Sequence, residues 1–178
     1  LKLFEGAILD YNAYIKIDDQ YANIFYLKGK ALNEVKRYEE ALKSFKTALE
    51  LQNADLDAED TNYLSDVYLQ IGNSYRFLKE YEQALTYYEL TLKIDPDNPE
   101  VFFNRGNTKY SQGNWTAAIL NYTKTLQLQS DHLSAQYYRG MSYQFMHKYK
   151  EAIEDFTAVI KQDPNLNLVH ISRGFTYA

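Results

Sequence analysis

The 178-residue sequence contains no cysteine. That excludes disulfides, thiolate metal sites and cysteine nucleophiles together, while leaving the compartment open. Proline and glycine are scarce, at 3 and 7 residues, which argues against a disordered or low-complexity chain. Basic residues do not predominate: the net charge is -5 and the isoelectric point about 5.2. A general electrostatic affinity for nucleic acid or for an anionic membrane is therefore not expected. No apolar run approaches the roughly 18 residues of a spanning helix, so membrane insertion is not expected either. The opening stretch LKLFEGAILDY has an acid and a glycine where a signal peptide needs an unbroken apolar segment. Histidine is also sparse. His132, His147 and His170 share no metal-ligand spacing; His132 falls near a helix start, His147 in a turn and His170 on the core-facing side of the last helix. DPDNPE at Asp95 lacks the glycine and the final ligand of a calcium loop. No phosphate loop, nucleophile elbow or paired carboxylates stand out. The expectation is a chain with no cofactor, no metal and no catalysis of its own.

What the sequence does have is aromatic side chains, 18 Tyr, 9 Phe and 1 Trp, and an internal period. Gly29, Gly72, Gly106, Gly140 and Gly174 are separated by 43, 34, 34 and 34 residues. Twelve residues after each of the first four comes an alanine: Ala41, Ala84, Ala118 and Ala152. Four residues later comes an aromatic: Phe45, Tyr88, Tyr122 and Phe156. Another aromatic precedes each alanine by three: Tyr38, Tyr81, Trp115 and Tyr149. A period of this length indicates a solenoid. Apolar residues within each unit return at helical spacing, break once, and resume, as around Ser111-Gln112-Gly113-Asn114. Each unit thus reads as two antiparallel helices. Asp97 or Asn98 can cap a first helix, with Pro99 in its first turn. Glycine inside a helix costs about 1 kcal/mol relative to alanine. Its recurrence requires a close approach: Gly106 on the first helix and Ala118 on the second let the backbones near each other.

These coincident positions, in four units and over nearly the whole chain, resemble the tetratricopeptide repeat family. The resemblance implies an all-α fold, a right-handed α-α superhelix of antiparallel helix pairs. Residues 1–178 then read as a single solenoid cut from a longer array. Residues 1–21 form the second helix of a preceding unit, because Ala7 and Tyr11 lie 34 before Ala41 and Phe45. Units follow at 22–55, 65–98, 99–132 and 133–166, with an insertion at 56–64, and residues 167–178 begin a fifth first helix. The insertion predicts a longer first helix in the second unit, starting near Asp57 or Asp60. The family's proline gives way to Asn53 and Ser130 in the first and third units. Where it carries an aromatic three after the glycine, those units have Leu32 and Lys109.

The resemblance also implies a concave groove, lined by the first helices, that receives an extended peptide or a partner helix. Helical spacing places five positions per unit on the stripe opposite the core. From these come the candidate partner-binding residues Tyr26, Lys30, Leu69, Asn73, Arg76, Phe103, Asn104, Asn107, Tyr110, Tyr137, Tyr138, Met141 and Phe145. The later units are aromatic, amide-bearing and almost uncharged. Chaperone-adaptor members of the family grip a C-terminal carboxylate with a basic clamp. Here Asn73 and Asn104 match its asparagines, but its basic positions fall on Leu69, Ser134 and Tyr138. Arg105, Arg139 and Arg173 directly precede their glycines. Stacked units would align them in a ladder, with Asp155 and Asn121 as partners. The functional expectation is a protein-interaction scaffold for an unidentified protein or peptide; the compartment stays open, with a soluble, cytoplasmic setting favoured. The alternatives are a self-assembly module forming a homo-oligomer or larger complex, or the regulatory array of a larger protein.

Overall fold

A computed structural model describes residues 1–54 and 61–177, which form ten α-helices and no strand among those described. In chain order these are α1 (Lys2–Ile15), α2 (Ala22–Glu34), α3 (Tyr38–Ala54), α4 (Thr61–Phe77), α5 (Tyr81–Ile94), α6 (Pro99–Ser111), α7 (Trp115–Leu128), α8 (Leu133–Phe145), α9 (Tyr149–Gln162) and α10 (Asn167–Tyr177). Two compact units divide the chain, residues 1–96 and 97–178. In the first, α1 packs on α2, α2 on α3, α3 on α4 and α4 on α5. In the second, α6 packs on α7, α7 on α8, α8 on α9 and α9 on α10. At 17 residues, α4 is longer than the 13-residue α2, α6 and α8. The start expected near Asp57 or Asp60 lies outside the described residues.

Among the described residues, the starts of α6, α7 and α8 have side-chain caps, which satisfy amide groups that no intrahelical carbonyl reaches. The Asn98 amide oxygen accepts from the Glu100 and Val101 backbone N–H groups at 3.1 and 3.2 Å, with Pro99 as the first helical residue. Asn114 Oδ1 accepts from Ala117 at 3.1 Å. His132 Nδ1 accepts from Ala135 at the same distance, which places this ring in a capping role.

Every turn between the first and second helix of a pair uses one left-handed residue, seven positions after the glycine. These are Lys36 (φ 63°), Lys79 (φ 63°), Gly113 (φ 73°) and His147 (φ 58°). The next residue's N–H bonds back five positions in each, as from Arg37 to Leu32, Glu80 to Tyr75, Asn114 to Lys109 and Lys148 to Tyr143, all at 2.9 Å. This is the Schellman closure, and it favours glycine. Only Gly113 is free of the steric cost that an L side chain bears there. Lys79→Gly is therefore expected to raise stability by about 1 kcal/mol, read as an upward shift of the urea midpoint. Gly113→Lys is expected to lower it by a similar amount.

The core repeats with the sequence. Ala41, Ala84, Ala118 and Ala152 are fully buried, as are Phe45, Tyr88, Tyr122 and Phe156. The glycines serve those rings more than the alanines. A Cβ on Gly29, Gly72 or Gly106 would come within 2.5 Å of the ring sixteen residues on, and one on Gly140 within 2.8 Å. Buried hydroxyls at the position two after the glycine (Ser74, Thr108, Ser142 and Thr176) are satisfied by the carbonyl four residues back, at 2.7–2.9 Å. His170 corrects the expectation of a core-facing ring: it is exposed, while its neighbour Val169 carries the burial. Its Nε2 lies 3.0 Å from the Pro164 carbonyl oxygen.

Candidate partner-binding face

In residues 97–178, α6 and α8 lie side by side as the two leading first helices. Their sequences place aromatics at helical spacing on one face, and the rings meet in series. His132 lies 4.6 Å from Phe103, measured between centroids, and Phe103 lies 6.3 Å from Tyr138. Tyr110 stands edge-on to Tyr138 at 5.7 Å and to Phe145 at 5.8 Å. Phe145 stacks on Trp115 at 5.1 Å, with planes 10° apart. The result is a ribbon of six rings, none from an acidic or basic residue of fixed charge. Its inner side packs on the cluster of Ala118, Tyr122 and Ala135. Its outer end is open, with Phe145 47% exposed. Burial pushes the Tyr110 phenol above its ordinary pKa, so its hydroxyl stays protonated well into the alkaline range. Beside the ribbon, α8, α9 and α10 border an open pocket of about 380 Å³ lined by Leu133, Tyr137, Tyr138, Val159 and Leu166 among others.

In residues 1–96 the corresponding face on α2 and α4 is more polar. Phe77, 50% exposed, stacks on Tyr38 at 4.9 Å, and the Arg76 guanidinium lies 4.2 Å from the Phe77 ring centroid. The Tyr26 hydroxyl donates to Asp66, and Lys30 Nζ sits 3.0 Å from that hydroxyl and 3.9 Å from the carboxylate. Desolvation raises the Asp66 carboxyl above its ordinary pKa, against a bond from the Gln70 amide. Desolvation also pushes the Tyr63 phenol up to about 12.

Three family profiles, each described as tetratricopeptide repeat, match residues 20–97, 69–131 and 134–166. The chain belongs to the tetratricopeptide repeat family. Sperm-associated antigen 1 of Rattus norvegicus is 25% identical over 153 residues, which is 86% of this chain and 16% of that protein. The tetratricopeptide repeat chain thus spans about a sixth of that relative's length. Among solved structures, YrrB, described as a TPR protein with an unusual peptide-binding site, is 20% identical with a TM-score of 0.74. That match covers 97% of this chain and 84% of YrrB. The first TPR of Spaghetti (RPAP3), bound to the HSP90 peptide SRMEEVD, is 22% identical with a TM-score of 0.62. It covers 65% of this chain and 91% of its own. At these identities the likeness establishes the fold, a solenoid of tetratricopeptide repeats.

Against this family frame, the thirteen residues expected to line the groove separate. Tyr26, Leu69 and Asn104 are buried and present little surface to a partner, a correction to the stripe read from helical spacing. Lys30, Arg76, Phe103, Tyr110, Tyr137, Tyr138, Met141 and Phe145 retain accessible surface. Asn73 and Asn107 do too, but each amide oxygen already accepts the phenol proton of the buried Tyr88 or Tyr122 at 2.9 Å. The sequence carried a signal for this pairing that residue-by-residue reading missed. Asparagine follows the glycine where the core ring is tyrosine; Lys30 and Met141 follow it where the ring is phenylalanine.

The arginines of the repeat do not form a uniform ladder. Arg139 meets Asp155 with two parallel bonds, Nε to Oδ2 at 2.9 Å and Nη2 to Oδ1 at 2.7 Å. Its Nη1 donates to Thr123 at 3.2 Å. Arg173 reaches only Thr157, at 3.1 Å. Arg105 does not pair with Asn121 as expected. That amide bonds the Ala117 carbonyl instead, and Arg105 Nε is buried without a hydrogen-bond partner. A neutral amide can satisfy itself within its own helix, whereas a carboxylate such as Asp155 cannot. Among the described residues no three His, Asp or Glu side chains group to hold a metal.

Proposed function

We propose that this chain is a non-catalytic interaction scaffold and that the first-helix face receives a peptide or partner segment. The observation that carries this reading is the aromatic ribbon on α6 and α8, open at Phe145 and beside the open 380 Å³ pocket. Rigid aromatic surface with hydroxyl groups supplies contact area with few rotamers to freeze, which is the composition of binding hot spots. The peptide-binding descriptions of YrrB and of the Spaghetti repeat domain support the same use of this fold. The acidic tail seen by the latter is not the partner class proposed here, because Leu69, Ser134 and Tyr138 leave the clamp without its cations.

A random-peptide display selection tests the reading. Binders that Phe145→Ala weakens at least tenfold, with helicity unchanged, support it; a selection that yields only binders indifferent to Phe145→Ala overturns it. The second reading, self-association, is favoured by the exposed Leu168, Ile171, Phe175 and Tyr177 along α10. Light-scattering mass that rises with concentration, and returns to the monomer value in Phe175→Ser, would favour it over a free peptide-binding face.

A further inference from the structure

We infer that the chain associates head to tail, α10 of one copy packing against α1 of the next to complete a helix pair. The inference rests on the self-association reading, names both faces and leaves the α6–α8 ribbon free. Its first support is register. In each complete pair the first-helix glycine lies against a ring sixteen residues on, and that ring and its alanine are fully buried. Among the described residues α10 packs only on α9 and α8, and α1 only on α2. Thus α10 is a first helix without its second, and α1 a second helix without its first. A Cβ on Gly174 would meet nothing within 4 Å, so the notch is present and no ring fills it. On α1, Ala7 and Tyr11 stand 34 residues before Ala41 and Phe45, yet they are only part-buried where their counterparts are fully buried. Phe4, in the place of Tyr38, is 40% exposed. Across the joint, Ile171 is exposed three residues before its glycine. Elsewhere that position meets the core ring, as Tyr26 does Phe45 at 6.2 Å and Tyr137 does Phe156 at 5.8 Å.

The second support is charge. Asp10 precedes Tyr11 as Asp155 precedes Phe156, and Arg173 precedes Gly174 as Arg139 precedes Gly140. Arg139 gives Nη1 to Thr123 and gives Nε and Nη2 to Asp155. Arg173 repeats the first contact, Nη1 to Thr157 at 3.1 Å, and its Nε and Nη2 remain available. Asp10 is exposed and offers the two oxygens that such a fork takes. The other charges nearby do not oppose the pairing. Glu5 meets Arg37 at 3.5 Å, and Lys30 of α2 meets Asp66 at 3.9 Å. Lys28 of α2 interacts with Glu40. Lys2 stands five before its alanine, where the other pairs have the turn residues Lys36, Lys79, Gly113 and His147. The exposed His170 lies against the Pro164 carbonyl.

Two positions depart from the intrachain pattern, and both make the contact reversible. Asn73 and Asn107 accept the phenols of Tyr88 and Tyr122, whereas Phe175 stands in that place and cannot accept from Tyr11. Tyr14, 40% exposed, is bulkier than its fully buried counterparts Ala48, Thr91, Thr125 and Val159. Because the two faces differ, symmetry does not cap the assembly at two copies.

Light scattering from micromolar to millimolar concentration tests the pairing on the 178-residue protein, on Asp10→Arg, on Arg173→Asp and on the two variants mixed in equal amounts. The wild type is expected to gain mass with concentration. Each variant alone sets like charges against each other and is expected to associate at least about tenfold more weakly. In the mixture, contacts between unlike variants join opposite charges again, and the gain in mass is expected to return. Gly174→Ala supplies a check that leaves the charges alone. Its methyl has room in the single chain but enters the notch that Tyr11 is to fill, so association should weaken with helicity unchanged. Association that both charge reversals leave unchanged overturns the pairing, and the broader self-association reading then stands without it. A mixture that stays monomeric overturns it too, because the charges then act elsewhere. No gain in wild-type mass at millimolar concentration overturns both. The peptide-binding reading is untouched by any of these results, since its ribbon lies on other helices.

Discussion

Replacing Arg139 by methionine is expected to cost about 3 kcal/mol of stability, the largest single-residue effect predicted for this protein. The reason lies in its partner. Asp155 is only 5% exposed, and both of its carboxylate oxygens accept from the one guanidinium. The pair draws the Arg139 pKa further upward, with the Asp155 hydrogen bonds as the first cause. Methionine fills the space of the aliphatic stem but leaves the carboxylate buried without a cation, and an uncompensated buried charge is far more costly than a missing surface pair. Urea denaturation followed by Trp115 fluorescence measures the loss as a fall in midpoint. Two comparisons isolate the cause. Arg173→Met removes only the bond to the exposed Thr157 and is expected to cost no more than about 1 kcal/mol. Removing both charges, Arg139→Met with Asp155→Leu, is expected to recover most of the loss, because no charge is then stranded. A double variant as unstable as Arg139→Met alone would show that packing of the arginine stem, not the charge, sets the cost.

This pair was legible before the structure, and its failure in the neighbouring repeat was not. Asp155 sits sixteen residues after Arg139, the same offset that brings each core ring onto its glycine, so sequence spacing alone puts them together. Asn121 has the same offset from Arg105, yet its short amide finds the Ala117 carbonyl one turn back. Such local competition leaves no trace in spacing. The glycine, alanine and ring positions were readable because close packing admits few residue types there. The turns were less so. The left-handed residue is glycine only at Gly113, and Lys36, Lys79 and His147 adopt the same conformation under the constraint of the closing bonds. The groove stripe failed at its edge for a related reason. A period of 3.6 residues fixes the angle of a side chain around its own helix, not how far the adjacent elements overlap it. Tyr26, whose ring meets both Phe45 and Tyr63, is covered in this way, whereas Phe145 is not.

The same distinction between position and surroundings gives the second large effect. Gly106 and Gly174 occupy equivalent positions in the repeat, and alanine is expected to act on them with opposite sign. At Gly106 a Cβ would stand 2.5 Å from Cε1 and 2.7 Å from Cδ1 of Tyr122. That ring is fully buried, and its hydroxyl is held by Asn107, so it cannot swing aside without losing a hydrogen bond. Overpacking of this kind costs about 2 kcal/mol, which outweighs the gain of up to about 1 kcal/mol from replacing a helical glycine by alanine. At Gly174 a Cβ meets nothing within 4 Å. Only the helical gain remains, and Gly174→Ala is expected to raise the urea midpoint. Pairing Gly106→Ala with Tyr122→Leu provides the internal check. The smaller side chain makes room for the methyl, so the alanine should cost less in that background than in the wild type. If Gly106→Ala and Gly174→Ala instead shift the midpoint equally, the glycines reflect a shared backbone preference. The fit of ring to notch would then not be what repeats along the chain.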